Sequence, residues 1–210
     1  HRDPGVIGAA RDAGHCHVEL ICDGVHIHPS VVRATFEMFG ADRVILISDS
    51  MRATGLSDGQ YTLGGQDVFV KGPKATLADG TIAGSATNLM GCLKVAVKEM
   101  GIPFEDAIAC ATMNPAKEIG IYDTCGSIKP GKAADLILLD IRMVQQDGIE
   151  TLREIRKMEE CKDIPVIMLT GVENKDTVVE SARLGVCDYL LKPFSSVELL
   201  KRIRRVFEAE

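Results

Sequence analysis

The 210-residue sequence predicts an α/β protein in two parts, with parallel strands joined by helices and a stretch of antiparallel hairpins in the first part. Short apolar runs bounded by turn residues indicate strands that are buried on both faces. Helix-length amphipathic segments separate most of these runs, which is the spacing of parallel strands. The composition changes after Asp140, since 17 of the 20 glycines lie before that residue.

A strand–helix–strand unit opens the first part. Residues 18–25 and 43–48 are apolar runs typical of buried strands, and residues 30–39 between them predict a helix. Pro29 suits the first turn of that helix, and Gly40 ends it. The short links predict parallel pairing of the two strands.

The pattern changes from residue 59 to residue 77, where short alternating segments predict antiparallel hairpins. Helices are predicted at residues 88–100 and 104–112, and Pro115 begins a further helical turn. The run ADLILLD at residues 134–140 predicts a strand that closes the first part and opens the second.

The second part alternates regularly between strands and helices, which predicts a doubly wound parallel sheet. We expect strands of both parts to join one mostly parallel sheet, with the hairpins beside it. The predicted helices are residues 148–158, 175–184 and 195–207, and the predicted strands are residues 165–170 and 187–191.

Composition argues against several classes of function. The net charge of −6, the absence of Trp and an aromatic content of 4% offer no basic or base-stacking surface for nucleic acid. No apolar stretch reaches the roughly 18 residues that suggest a membrane span. Seven cysteines without a CxxC pair predict reduced thiols and a cytoplasmic protein. The chain has no signal peptide and opens on His1 rather than Met, so we expect a fragment.

Polar residues follow two strands of the first part, where ligands gather in α/β folds. The first predicted strand ends in Asp23, Gly24, Val25 and His26, and Asp49 follows the second. Each carboxylate suits a general base or a metal ligand, but it equally suits the N-cap of the next helix. Position alone leaves both interpretations open.

Four histidines form two pairs with i, i+2 spacing, His15 with His17 and His26 with His28. On a strand each pair would share a face and could chelate a metal. Because no third ligand is near in sequence, we favour surface positions close to turns for His15, His17 and His28.

Three strand ends stand out in the second part. Asp140 ends one predicted strand, Thr170 ends the next, and Lys192 follows the third. Adjacent parallel strands bring their carboxyl ends together, so a phosphoryl-accepting carboxylate, a hydroxyl and a neutralising lysine could converge. Taken singly, each residue is more often a helix cap or a surface group.

Six motifs occur in order along the first 140 residues. They are HRDPG (1–5), ELICDGVHIHP (19–29), ILISDSMRATG (45–55), LADGTIAGS (77–85), ATMNPAKEIG (111–120) and GSIKPGKAADLILLD (126–140). Together they resemble the N-acetylglucosamine-6-phosphate deacetylases, metal-dependent amidohydrolases that release acetate from the sugar's N-acetyl group. The resemblance implies a homodimer and the carboxyl-terminal part of a (β/α)8 barrel, here incomplete, with strands of a small β-sandwich.

The resemblance also implies site residues. Asp49 matches the catalytic aspartate, a general base and then a general acid. Arg2 matches an arginine that binds the sugar phosphate across the dimer interface, where a guanidinium fork suits a phosphate. The remaining matches are Asp23, Gly24, Val25 and His26 for substrate binding, and Ile82, Ala83 and Gly84 for a backbone loop over the sugar.

A divalent metal, zinc or a similar ion, is implied by the same resemblance. The family's ligands, a glutamate and two histidines, lie ahead of the motif that matches HRDPG. A complete barrel needs about 250 residues. We therefore expect this chain to lack the metal ligands and to be nearly inactive by itself.

The motifs LILLDIRM, IPVIMLTG and ARLGVCDYLLKPF, with the final helix, lie within residues 135–210. They resemble the receiver domain of bacterial response regulators, which implies an incomplete flavodoxin-like fold and a histidine kinase as partner. Asp140 would be the phosphoacceptor, Thr170 the switch hydroxyl and Lys192 the phosphate-contacting lysine.

Two departures from the receiver pattern affect this expectation. Val144, Gln145 and Gln146 follow Met143, where the family usually has Pro and then Gly. The family's first strand, first helix and second strand are absent, and that segment supplies the acidic pair that binds Mg²⁺. We therefore expect phosphorylation of Asp140 to be badly impaired.

The two resemblances meet on residues 135–140, which end one and begin the other. This predicts domains at residues 1–134 and 135–210, with the strand at 135–140 shared. Three interpretations follow: a deacetylase, a receiver module of two-component signalling, and an inactive chimera of the two.

Overall fold

The computed structural model describes residues 2–143, 147–171 and 175–208, so the departure at residues 144–146 lies outside the described residues. The chain divides into two compact units, His1–Lys132 and Ala133–Glu210. The first unit contains α1 (Gly5–Asp12), β1 (Val18–Ile21), α2 (Pro29–Phe39), β2 (Val44–Ile47), β3 (Gly59–Leu63), β4 (Gln66–Lys71), β5 (Lys74–Leu77), β6 (Ile82–Ser85), α3 (Leu89–Lys98), α4 (Phe104–Ala111) and α5 (Met113–Glu118). The second contains β7 (Ile137–Asp140), α6 (Gly148–Lys157), β8 (Val166–Thr170), α7 (Lys175–Arg183), β9 (Asp188–Leu191) and α8 (Ser196–Phe207). None of the described helices combines the length and the apolar character that crossing a bilayer requires.

β1 and β2 pair in parallel along their full length, which confirms the predicted strand–helix–strand unit. β1 ends at Ile21 rather than at residue 25 because Asp23 turns the chain. The Asp23 carboxylate accepts the backbone N–H groups of Val25 and His26, and such an Asx-type turn interrupts extended backbone.

Helices α2, α3 and α4 contribute to the apolar core around this strand pair. Inside it, the buried side chain of Asn114 donates to the carbonyls of Ala41 and Val44, both at 2.7 Å. The buried members of the core are Leu20, Cys22, Val32, Phe39, Val44, Leu46, Cys92, Ala96, Met100, Ile102, Ala107 and Cys110.

β3, β4, β5 and β6 form one antiparallel sheet in chain order. The hairpins predicted at residues 59–77 are confirmed, whereas β6 is a strand that local pattern does not predict. Its glycine and serine have low strand propensity, and pairing with β5 overrides that preference. Val68 and Val70 of β4 point inward and pack with Ala75 and Ala83.

The guanidinium of Arg43 anchors α1, a helix without any buried residue of its own. Arg43 is 9% exposed and donates to the backbone carbonyls of Ala10, Arg11, Ala13 and Cys16 at 2.5–3.1 Å. A fixed fork of donors suits several carbonyls at once. The side chain that precedes β2 thus holds the end of α1 and the turn into β1.

The second unit is built on a three-stranded parallel sheet, β7–β8–β9, which confirms the predicted alternation. The expectation of one sheet across both parts is wrong, because the parallel strands form two separate sheets. β7 pairs with β8, the next strand along the chain, as consecutive strands commonly do. The buried core of this unit comprises Leu139, Ile149, Leu152, Val166 and Met168.

We predict that Arg43→Met lowers the free energy of unfolding of the first unit by about 1–3 kcal/mol, because partly buried carbonyls lose their donor. Urea unfolding followed by circular dichroism measures the change. Arg33→Met is the matched control, since exposed Arg33 bonds to the Met100 carbonyl at 3.2 Å and to Ser30 Oγ at 3.3 Å. Equal losses in the two variants would contradict the anchoring role of Arg43.

Candidate functional site

The carboxylate of Asp23 is the centre of the first candidate site. The residue is 4% exposed and lies two positions after the end of β1 at Ile21. Its Oδ1 accepts the N–H groups of Val25 and His26 at 2.9 and 3.0 Å. Its Oδ2 lies 2.8 Å from Nδ1 of His26 and accepts the hydroxyl of Ser85 at 2.8 Å. Four hydrogen bonds therefore hold one buried carboxylate.

These contacts set the ionisation of Asp23 and the orientation of His26. Burial raises the pKa of Asp23, but the hydrogen bonds from His26, Val25 and Ser85 outweigh it and hold the pKa below its ordinary value. An ionised carboxylate only accepts, so Nδ1 of His26 carries the proton in this contact. Nε2 is then the ring nitrogen that faces away from Asp23. The imidazole is 18% exposed.

Asp49 follows β2 in the left-handed backbone region, with φ of 49°. Asp tolerates this region better than most residues, and such conformations concentrate at functional sites. Asp49 is exposed. Its carbonyl accepts the N–H of Ser85 at 2.9 Å, and the Ser85 carbonyl accepts the N–H of Met51 at 3.0 Å. The backbone of the candidate catalytic residue is thus hydrogen-bonded directly to β6.

β6 passes directly beside Asp49 because Gly84 allows it. Gly84 has φ of 67°, a left-handed conformation that favours glycine, whereas a Cβ at this position would make only ordinary van der Waals contacts, 3.5 Å from the Asp49 carbonyl oxygen and 3.5 Å from Cβ of Met51. The expected backbone loop is wrong in its local structure, since Ile82, Ala83 and Gly84 lie in a strand.

The structure brings some predicted site residues together and leaves one apart. Ser85 connects the Asp23–His26 pair to the backbone of Asp49. Gly24, with φ of 78°, shapes the turn that presents His26. Arg2 is exposed ahead of α1, and within residues 2–143 no hydrogen bond or ion pair joins it to this network.

The described part of the chain does not fit a metal centre. No three or more His, Cys, Asp or Glu side chains converge there. His17 Nδ1 lies 2.6 Å from Glu118 Oε2, and His28 caps α2. Burial raises the pKa of both Cys22 and Cys110 to about 12, so these thiols stay protonated and are poor ligands.

The second candidate site lies at the carboxyl ends of β7, β8 and β9. Asp140 and Lys192 form an ion pair between their side chains, and Asp140 Oδ1 accepts the N–H of Arg142 at 3.2 Å. The hydrogen bond from Lys192 is the main cause that lowers the pKa of Asp140. Thr170 is 8% exposed, and its carbonyl accepts the N–H of Lys192 at 2.6 Å. The structure therefore brings the three predicted residues to one edge.

Sequence reasoning misses one residue at each site. Ser85 stands within a quoted motif, yet only the fold shows that its hydroxyl reaches Asp23, 62 positions away. Gly148 begins α6, and a Cβ there would lie 2.1 Å from the Asp140 carbonyl oxygen. The available signals in the sequence are Gly84, which precedes Ser85 inside a strand, and Gly148 at the start of a helix. A glycine at such a position can indicate a close backbone approach.

Sugar-phosphate deacetylases are similar to about two thirds of this chain. N-acetylglucosamine-6-phosphate deacetylase of Bacillus subtilis strain 168 is 42% identical over 139 residues, which are 66% of this chain and 35% of that protein. The Escherichia coli K12 protein named "Putative N-acetylgalactosamine-6-phosphate deacetylase" is 36% identical over 71% of this chain and 90% of its own length. The crystal structure of N-acetylglucosamine-6-phosphate deacetylase from Thermotoga maritima is 36% identical with a TM-score of 0.59, covering 64% of this chain and 37% of that one.

A second family matches the other end of the chain. The family model of the response regulator receiver domain matches residues 122–204, so it begins ahead of the structural boundary at Ala133. The chain spans about a third of the length of the first curated deacetylases it matches.

The α/β fold of the first unit and these matches define its class, the sugar-phosphate deacetylases. The chain belongs to the family of N-acetylglucosamine-6-phosphate and N-acetylgalactosamine-6-phosphate deacetylases, since it covers 90% of a relative that is 36% identical. A receiver-type segment is fused to this deacetylase-type segment in one chain.

We predict that Asp23→Asn destabilises the first unit at neutral pH and that the difference from wild type shrinks in acid. The pKa of folded Asp23 is lowered, so its stabilisation is complete above the ordinary carboxyl pKa of about 4 and is lost as the pH falls through the lower folded value. Urea unfolding at a series of pH values measures this.

Asp67→Asn on exposed β4 is the matched control and should show a small difference at every pH. A destabilisation by Asp23→Asn that does not change with pH would contradict the ionised, hydrogen-bonded state of Asp23.

Proposed function

We propose that the first unit provides the sugar-phosphate-binding and proton-transfer part of an N-acetylhexosamine-6-phosphate deacetylase site. The observation that carries this proposal is the arrangement in which one buried carboxylate orients His26 and Ser85 links it to the backbone of Asp49. Family membership supplies the class of substrate. We assign this role to residues 1–134, as the carboxyl-terminal part of an incomplete barrel with its β-sandwich strands.

In this proposal each residue acts through chemistry that its surroundings allow. The exposed carboxylate of Asp49 takes up and returns the proton that moves during amide hydrolysis. His26, oriented through Nδ1, hydrogen-bonds the substrate through Nε2. Arg2 binds the sugar phosphate, with a second copy of the chain completing the site as a homodimer. Gly24, Val25, Ile82, Ala83 and Gly84 contribute backbone contacts to the sugar.

The catalytic divalent metal of the family enters no step of this proposal. The described residues do not fit a metal site, so we assign this chain binding and proton transfer alone. We therefore expect it to bind the sugar phosphate and to release acetate slowly or not at all.

We predict that N-acetylglucosamine 6-phosphate shifts the His26 ring signals in NMR spectra and that N-acetylglucosamine without the phosphate shifts them far less. Assays with and without added Zn²⁺ measure acetate release in parallel. Asp49→Asn should keep the ligand-induced shifts and remove any acetate release, whereas Asp67→Asn should change neither. Absence of any His26 shift in the folded chain would overturn the proposal.

We propose a second function for residues 135–210, a phosphoacceptor site in a receiver-type unit. The observation that favours it is the Asp140–Lys192 ion pair beside Thr170 at one edge of a parallel sheet. A carboxylate oxygen of Asp140 attacks phosphorus, the bond from phosphorus to the leaving oxygen breaks, and Lys192 neutralises the transferred group. A histidine kinase is the proposed donor in the cell.

We predict weak labelling of Asp140 by acetyl phosphate with Mg²⁺, because no acidic pair converges with Asp140 in the described part of the chain to hold the ion. Acetate leaves as the aspartyl phosphate forms, and mass spectrometry locates the phosphoryl group. Asp140→Asn should abolish labelling, whereas Asp163→Asn at an exposed position should not. Labelling that survives Asp140→Asn would contradict the assignment. A folded chain that responds in neither assay would be an inactive chimera.

A further inference from the structure

We propose that Ser85 is the positioning residue of the deacetylase-type site, holding the Asp23–His26 pair in register with Asp49. This inference rests on the proposed function of the first unit and names a residue to which the family resemblance assigns no role. The side chain and the backbone of Ser85 act on different parts of the site, so the two contributions can be separated by mutation.

The hydroxyl of Ser85 has one possible orientation in this structure. Ser85 is fully buried, and its Oγ donates to Oδ2 of Asp23 at 2.8 Å. The same oxygen accepts the N–H of Thr87 at 3.1 Å. Because the carboxylate only accepts and the amide only donates, neither bond can reverse. The hydroxyl is therefore locked, and it holds the oxygen of Asp23 that also contacts Nδ1 of His26.

The backbone of Ser85 holds the other half of the site. Its N–H and its carbonyl bond to Asp49 and Met51 on either side of Ser50, as a parallel bridge between Ser50 and Ser85. The Ser85 carbonyl also accepts the hydroxyl of Thr54 at 2.9 Å. One residue of β6 thus touches both strand ends that carry candidate site residues.

This arrangement gives Ser85 a function beyond packing. If its hydroxyl is removed, Oδ2 of Asp23 loses one of its two partners and keeps only the contact with His26, while the N–H groups of Val25 and His26 still hold Oδ1. The ring of His26 then bonds to a less constrained oxygen, and the direction of Nε2 is set less firmly. The backbone bonds to Asp49 survive, because alanine keeps the N–H and the carbonyl. The inference therefore predicts a loss in His26 orientation without a loss in the placement of Asp49.

The test observes the Nδ1–H proton of His26 by NMR in the full chain without any ligand. In wild type this proton is expected to exchange slowly with water, since it is bonded to a buried carboxylate. Ser85→Ala is expected to accelerate the exchange by at least about tenfold, and Ser85→Thr, which keeps the hydroxyl, should restore slow exchange. Should Ser85→Ala fail to fold, Ser85→Cys preserves the volume with a much weaker donor and is expected to show the same acceleration.

Thr54→Val is the matched control, because it deletes a hydroxyl bonded to the Ser85 carbonyl and leaves the contact with Asp23 intact. Slow exchange in Thr54→Val and fast exchange in Ser85→Ala, with unchanged amide signals for β1, β2 and β6, would support the inference. Equal effects of the two variants would overturn it, as would slow exchange in folded Ser85→Ala.

Ligand binding forms a separate arm of the experiment. Ser85→Ala is expected to weaken binding of N-acetylglucosamine 6-phosphate roughly tenfold if the proposed function holds. If the exchange results support the role of Ser85 but wild type binds no sugar phosphate, the proposed function is rejected and the positioning role of Ser85 stands.

Discussion

The buried carboxylate of Asp23 is the interaction on which the site of the first unit depends. A charge removed from water must be compensated by hydrogen bonds, and four donors surround this one. Two of them end β1 by turning the chain, one orients His26, and one joins Ser85 of β6 to the end of β1. The turn, the imidazole and the neighbouring strand are consequences of satisfying a single buried group.

Asp140 shows the same residue type under a different constraint. Its carboxylate is about a third exposed, and its partner Lys192 is exposed to a similar extent. An exposed ion pair contributes little to stability, so the fold of the second unit does not need it. The fold does need the close approach of Gly148 to the Asp140 backbone, because packing at the end of β7 requires it. Fold and chemistry can thus be separated more readily at this site than at Asp23.

Local pattern predicts the parallel strands of both units because each is an apolar run with clear ends. It predicts Asp140, Thr170 and Lys192 at one edge for the same reason, since parallel strands present their carboxyl ends together. Pattern does not predict β6 or α1, because each depends on a partner outside its own segment, pairing with β5 for one and the side chain of Arg43 for the other. The link from Ser85 to Asp23 spans 62 positions and leaves no local periodicity, so only the folded chain shows it.

The composition of β7 has a consequence for the evolution of fused chains. Its four residues, ILLD, are an apolar run with a terminal carboxylate, a type of strand that unrelated α/β folds share. In this chain β7 pairs in parallel with β8, although the resemblance of residues 126–140 is to the deacetylases. A strand of this type can therefore pair within either fold without a change in its sequence. Such interchangeable strands are points at which coding sequences can be spliced and still yield a paired sheet.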